Sequence, residues 1–207
     1  MTLGPTVLPL EPAHTERFLF LEALASQPYS EFVYGNSQKA QSVSQTLFEH
    51  KACEFCAPYG RVLVDEGRPV GMVACLSEAE LQKQRLKAAY AINRRKLFDD
   101  TEVMKRIQLA ALTLAEPDPH DLYLSRIAVE PAARGRGSGS FLLRWVAEEG
   151  RARGLARIVL EVSPASPGSE GFYRANGFVE LARKAVEDSE TKRRLEYVHL
   201  GKELKPK

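Results

Sequence analysis

Leu122-Tyr123-Leu124-Ser125-Arg126-Ile127-Ala128-Val129-Glu130-Pro131, followed after Ala132 and Ala133 by Arg134-Gly135-Arg136-Gly137-Ser138-Gly139, is the stretch that decides the fold of this 207-residue chain. Leu122 to Val129 is a nearly continuous apolar run bounded by Asp121 and Pro131, which predicts a strand buried on both faces. The glycines at alternate positions then let backbone amides converge on an anion, because no Cβ blocks the approach and φ can turn positive. A helix from about Gly139 to Arg153 follows, with Phe141, Leu142, Trp145 and Val146 on one side, and its N-terminus adds unpaired N–H groups and partial positive charge. Gly154 ends the helix, and Arg157 to Val162 reads as a second buried strand. The unit is strand, loop, helix, strand, with the two strands parallel.

Known phosphate loops differ from this one. A P-loop needs Gly-Lys followed by Ser or Thr, which is missing here. A dinucleotide fingerprint needs G-x-G-x-x-G directly after the strand, whereas the spacing is G-x-G-x-G and Glu130 to Arg134 intervene, although Glu161 lies about where a ribose-binding acid would lie. An arginine-rich surface turn is the plain structural alternative for the glycines alone.

Working outward, Val7 to Leu10 reads as a short first strand, and Phe18, Leu21 and Leu24 to Ala25 as a helix that Pro28 stops. Tyr29 to Gly35 is read as a loop rich in aromatic residues, with Tyr29, Glu31 and Tyr34 as candidate acceptor-binding residues, before a helix from Ser37 to His50. Arg61 to Val64 and Val70 to Leu76 form a hairpin turning at Asp65 to Pro69. Leu86, Tyr90, Asn93 and Leu97, then Val103, Ile107, Ala110 and Leu114, step at helical spacing; Asp99 with Glu102 is a capping-box pattern for the second helix. These two helices, expected to pack on each other, make residues 81–116 a helical insertion within a single domain spanning 1–207. Lys83, Arg85, Lys87, Arg94, Arg95 and Lys96 make the first of them basic, which is a solvated face or an attraction for an acidic substrate. A short helix near Gly171 to Asn176 and a final hairpin, Phe178 to Val186 with Arg193 to Leu200, complete the chain.

Composition narrows the function classes. The hydrophobic share of 44% and charged share of 27% are those of a globular protein, and a formal charge of +2 is too small to predict a nucleic-acid or membrane surface. With no apolar run approaching the roughly 20 residues of a membrane span, a cytoplasmic protein is expected. Cys53, Cys56 and Cys75 are an odd set, which argues against a disulfide framework. His50, Cys53 and Cys56 have metal-like spacings but lack a fourth ligand nearby, so no metal is expected.

Leu124 to Pro131 followed by Arg134-x-x-Gly137-x-Gly139 resembles the acetyl-CoA-binding core of the GNAT acetyltransferases. Gly171-Phe172-Tyr173-Arg174-Ala175-Asn176-Gly177-Phe178 resembles that family's F-Y-x-x-x-G-F segment. The resemblance covers Leu122 to Phe178. It implies a mixed α/β fold whose mostly antiparallel central sheet carries a parallel, splayed central strand pair, one strand of it bulged, flanked by helices. It also implies an N-acetyltransferase using acetyl-CoA as cosubstrate. The backbone of Ile127, Ala128 and Val129 would pair with the pantetheine arm, amides from Arg134, Gly135, Arg136, Gly137, Ser138 and Gly139 would hold the pyrophosphate, and Ser166, Phe172 and Tyr173 would lie along the cofactor. Ser166 departs from the family, in which many members have Asn there.

By the same resemblance the acetyl group passes directly to a primary amine of a small molecule or protein, and Tyr173 protonates the departing thiolate. The base is less legible. Tyr123 and Ser125, expected to share a strand face with Ile127, stand where the family often has an acid or histidine, and Glu31, His120, Asp121 and Glu161 are alternatives. A non-catalytic acyl-CoA sensor or partner-binding module would have the same fold and loop. A homodimer is compatible with either reading.

Overall fold

Strands Thr6–Pro9 (β1), Gly60–Asp65 (β2), Arg68–Ser77 (β3), Asp121–Val129 (β4), Arg157–Val162 (β5), Val179–Glu187 (β6) and Arg194–Glu203 (β7) line up as β1-β2-β3-β4-β5-β7-β6 in a computed structural model. It describes residues 4–95 and 101–205. Only β4 and β5 run parallel; every other neighbouring pair is antiparallel. The parallel pair is the consequence of the crossover through the helix Ser138–Ala152, here α6, as the strand, helix, strand reading requires.

The remaining helices are Thr15–Ala25 (α1), Gln27–Tyr34 (α2), Ser37–Glu49 (α3), Glu78–Arg95 (α4), Thr101–Ala111 (α5) and Ser169–Ala175 (α7). α6 buries Leu142, Leu143, Val146 and Ala147 against Leu122, Leu124, Ile158 and Leu160 on one face of the sheet. On the other face α1 sets Phe18 and Leu21 against Val62, Met72 and Ala74, and α2 joins α5 over β7 through Phe32, Val33, Val103, Ala110 and Leu195. Among the described residues no helix is long and apolar enough to cross a membrane.

Three local expectations change. Pro28 does not end the first helical region in a loop; it occupies the first turn of α2, where its missing N–H is no loss, and Gly35 closes α2 with φ 73°. The 29–35 segment is therefore mostly helix. The seam expected between α4 and α5 is not formed by Leu86 and Tyr90, which are exposed. α4 packs on β3 and β4 while α5 packs on α2. Leu97, Asp99 and Lys96 lie outside the described residues.

The third change concerns β4. Its register against β3 shifts between Ala74 and Cys75, which face Arg126 and Leu124, so Ser125 is the extra residue of a β-bulge. The bulge reverses the alternation. Leu122, Leu124 and Ile127 all face the α6 layer, whereas Tyr123 packs with Leu76, Leu81 and Val159 on the opposite side, so Tyr123 and Ile127 do not share a face.

Candidate active site

β4 and β5 pair only through Asp121↔Arg157, Leu122↔Ile158 and Tyr123↔Val159. Beyond that point β4 continues along β3 to Val129 and β5 continues along β7 to Val162, so the two strands diverge into a fork. The edge of β4 that faces the fork, including Ile127 to Val129, has no strand partner among the described residues. Such an edge is a template for an extended ligand that offers hydrogen-bonding groups.

The glycine loop closes the wide end of the fork. After a single helical turn at Pro131–Ala133, Gly135 and Gly137 take φ of 75° and 83°, with open space where a Cβ would stand. Gly137 is the N-cap of α6, no side chain caps that helix, and its first-turn amides lack the usual i−4 acceptors. Arg134 donates from Nε to the Val129 carbonyl at 3.1 Å, and Ser138 from Oγ to Ala133 at 3.4 Å, so these side chains brace the loop. Arg136 is exposed. Gly139 has a different reason to lack a side chain, since a Cβ there would stand 3.0 Å from the Phe172 ring of α7.

One face of the fork is built around Glu161. β5 alternation puts Leu160 and Val162 into the α6 core and Glu161 on the other face. The Tyr123 hydroxyl donates to Glu161 Oε1 at 2.5 Å, and the Ala115 amide reaches Oε2 at 3.4 Å. Burial raises the Glu161 carboxyl from the ordinary carboxylate range to about 7, partly offset by the Tyr123 hydrogen bond. Arg126, Glu54 and Tyr197 complete the electrostatic surroundings. Arg126 is held by Glu22 at 3.4 Å and by its own bond to the Ser125 carbonyl at 2.7 Å, and Glu54 pairs with Arg85 of α4 at 3.6 Å.

On the other face stands Tyr173, set edge-on between Phe172 and Phe178 at 5.3 and 5.6 Å between ring centres. Burial is the main cause that raises its phenol above the usual value, with the Glu161 charge acting in the same sense. The site therefore has a carboxyl that changes charge near neutrality on one side and a phenol that stays protonated on the other.

The other sequence candidates fall into two groups. Tyr29 lies within the field of Arg126, Glu54 and Arg85, and burial pushes its hydroxyl up to about 12; Tyr34 is influenced by Tyr29 and Glu22. Glu31 is on the exposed side of α2, accepting from Gln27 at 3.0 Å. Ser125 donates to the Ala74 carbonyl at 3.3 Å, and the Ser166 amide is taken by the Ser163 carbonyl at 3.0 Å in the turn before α7. His120 is exposed, and Asp121 is buried against Arg157 at 2.9 Å, a structural pair. Among the described residues no group of three or more His, Cys, Asp or Glu could hold a metal ion. Arg126, Glu54 and Tyr197 have no place in the sequence-based site, and Arg85 enters it only as one of the basic residues of a helix face. A charged residue inside an otherwise apolar strand, as Arg126 is, was the available signal.

A family model described as the acetyltransferase (GNAT) family matches residues 20–178. Glucosamine 6-phosphate N-acetyltransferase 1 of Oryza sativa subsp. japonica is 36% identical over 58 residues, which is 28% of this chain and 33% of that protein, so the match spans about a third of the relative's length. Among solved structures, that of an acetyltransferase superposes with a TM-score of 0.66 at 16% identity, covering 97% of this chain and all of the other. The ribosomal-protein-S18-alanine N-acetyltransferase of Escherichia coli gives 0.53 at 14% identity, covering 98% and 96%. These structures share the fold, and the family match extends over most of the sequence: the chain belongs to the GNAT acetyltransferase family.

Proposed function

We propose that this chain moves an acetyl group from acetyl-CoA to a primary amine by direct attack, with both reactants bound together. The observation that supports this most strongly is the fork between β4 and β5, with Glu161 on one face and Tyr173 on the other. Acetyl-CoA supplies an acyl carbon already activated as a thioester. The open edge of β4 at Ile127, Ala128 and Val129 pairs with its pantetheine arm, and amides of Arg134 to Gly139 hold its pyrophosphate, for which Gly135 and Gly137 leave room. Phe172 backs the loop, and Ser166 sits at the rim of α7.

An alkylammonium has a pKa near ~10 and must lose a proton before its nitrogen can attack. Glu161 takes that proton. A carboxyl near 7 is substantially ionised at neutral pH yet basic enough to accept, the compromise that general-base catalysis favours. Tyr123 positions Glu161 through its short hydrogen bond, and the Ser125 bulge turns Tyr123 to the acceptor side. Tyr29 and Tyr34 of α2 flank the incoming amine. Tyr173 gives its proton to the departing sulfur.

The test is free-thiol release from acetyl-CoA with a panel of amines: amino sugar phosphates such as glucosamine 6-phosphate, amino acids, polyamines and peptides. Amine-dependent release is expected, lowered by about 10²-fold in Tyr173→Phe and abolished in Gly137→Glu. Tight calorimetric binding of acetyl-CoA with no release for any amine would replace the enzyme with a sensor, and absence of binding would sink both.

A further inference from the structure

The turn Cys53-Glu54-Phe55-Cys56, between α3 and β2, has no part in the mechanism above. Its cysteines stand at the two ends of an i to i+3 turn, with the Cys56 amide 3.5 Å from the Cys53 carbonyl. A turn of that kind holds its end Cα atoms within about 7 Å, and disulfides span roughly 4.4–6.8 Å. The turn itself brings the two cysteines together, and each thiol is within the electrostatic reach of the other. Cys75, the third thiol, packs in the α6 core on the opposite side of the sheet. The neighbouring Cys53 is the largest cause that lowers the Cys56 thiol below its ordinary value, which makes Cys56 the nucleophilic partner of the pair.

The two residues between the cysteines both reach the acceptor face. Glu54 pairs with Arg85 and lends its charge to the surroundings of Glu161 and Tyr123. Phe55 stacks on Phe48 at 6.4 Å and lies under the Arg126 guanidinium at 5.8 Å. A change in the shape of this turn is therefore passed to an anion and a cation that surround the base.

We propose that Cys53 and Cys56 are a reversible dithiol–disulfide site that adjusts the acceptor side of the reaction centre. That consequence for catalysis rests on the acetyl-transfer reading; the disulfide itself does not. With hydrogen peroxide as oxidant, the Cys56 thiolate attacks one oxygen and the O–O bond breaks, giving a sulfenic acid and hydroxide. The Cys53 sulfur then bonds to the Cys56 sulfur and loses its proton, and the sulfenic oxygen leaves as water. Two thiols lose two electrons and two hydrogens, and the peroxide becomes two waters; excess small-molecule thiol reverses the step. Both cysteines are buried, at 4% and 1% exposure, so reaction proceeds through opening of the turn.

The full chain should be treated with equimolar peroxide, alkylated and analysed by intact-mass and peptide mapping. The expected product has lost two hydrogens through a link between positions 53 and 56, is restored by dithiothreitol, still forms in Cys75→Ser, and is absent in Cys53→Ser and Cys56→Ser. Accumulation of sulfinic acid without a link, or a link to Cys75, would overturn the site. In the same preparations, the KM for the amine is expected to differ by at least about twofold between the reduced and linked forms, with the affinity for acetyl-CoA unchanged. Equal KM values would overturn the coupling. A link that forms in a chain that acetylates no amine would preserve the disulfide and defeat the acetyl-transfer reading.

Discussion

Glu161 of β5 is held between the Tyr123 hydroxyl and the Ala115 amide. Because burial raises its carboxyl from 4.5 to about 7, the folded chain keeps a proton that the unfolded chain releases over that window. The unfolded state then binds fewer protons, so this group lowers stability as pH rises from about 4.5 to 7, and the effect levels off above. Glu161→Gln removes the titration. Thermal unfolding from pH 5 to pH 8 is expected to shift progressively in the variant's favour, and a parallel pH dependence in variant and wild type would mean that the group titrates normally. The same substitution should lower kcat/KM for the amine by about 10²–10³-fold and remove the rising limb near pH 7. Glu22 and Arg126 make a second residue-scale test. Glu22 is 2% exposed and accepts from both Arg126 and Ser26, so Glu22→Ala leaves the partly buried Arg126 without its carboxylate partner while its bond to the Ser125 carbonyl remains. Denaturant titration should show a loss of about 1–3 kcal/mol; a loss under about 0.5 kcal/mol would show that water reaches Arg126 freely.

At the scale of elements, the glycines of the loop differ in what they do. Gly137 supplies a backbone angle that L residues rarely adopt, while Gly139 supplies room for the Phe172 ring. Gly139→Val should push Phe172 and α7 away from α6 and weaken acetyl-CoA binding by about tenfold or more, measured calorimetrically, with a smaller change in KM for the amine. Unchanged cofactor affinity would separate α7 from the cofactor side. The loop, its flanking strand and its helix were legible in the sequence because their signals are local: an apolar run, alternating glycines, a helical period. A bulge in the central pair followed from the family resemblance, but its place at Ser125 was not legible, since it depends on the register that β3 imposes on β4, and without it period-two alternation puts Tyr123 on the face of Ile127. Pro28 misled for a similar reason. A proline opens a helix as readily as it ends one, and only Gly35 seven residues later shows which.

Across the whole molecule, the fork is assembled from parts far apart in sequence. Tyr123 and Glu161 are 38 residues apart, and Glu54 and Arg85 arrive from separate connections between strands. Glu161 was open to view as an acid within an apolar strand, but its raised pKa comes from neighbours that only the topology brings together. The segment leaving α5 contributes as well: the Ala115 amide reaches Glu161, and His199 of β7 lies 2.7 Å from the Thr113 carbonyl, to which its Nε2 donates. Charge on α4 reads from the sequence as a solvated face or an attraction for an acidic substrate; Arg85 of that helix pairs with Glu54. A crystal structure of the chain bound to acetyl-CoA is the most direct test. The expected result is the pantetheine arm along the free edge of β4 at Ile127 to Val129, the pyrophosphate on the amides of Arg134 to Gly139, and the sulfur beside the Tyr173 hydroxyl with Glu161 across the fork. Cofactor bound anywhere else, or in the fork with its thioester turned away from Tyr173 and Glu161, would contradict it.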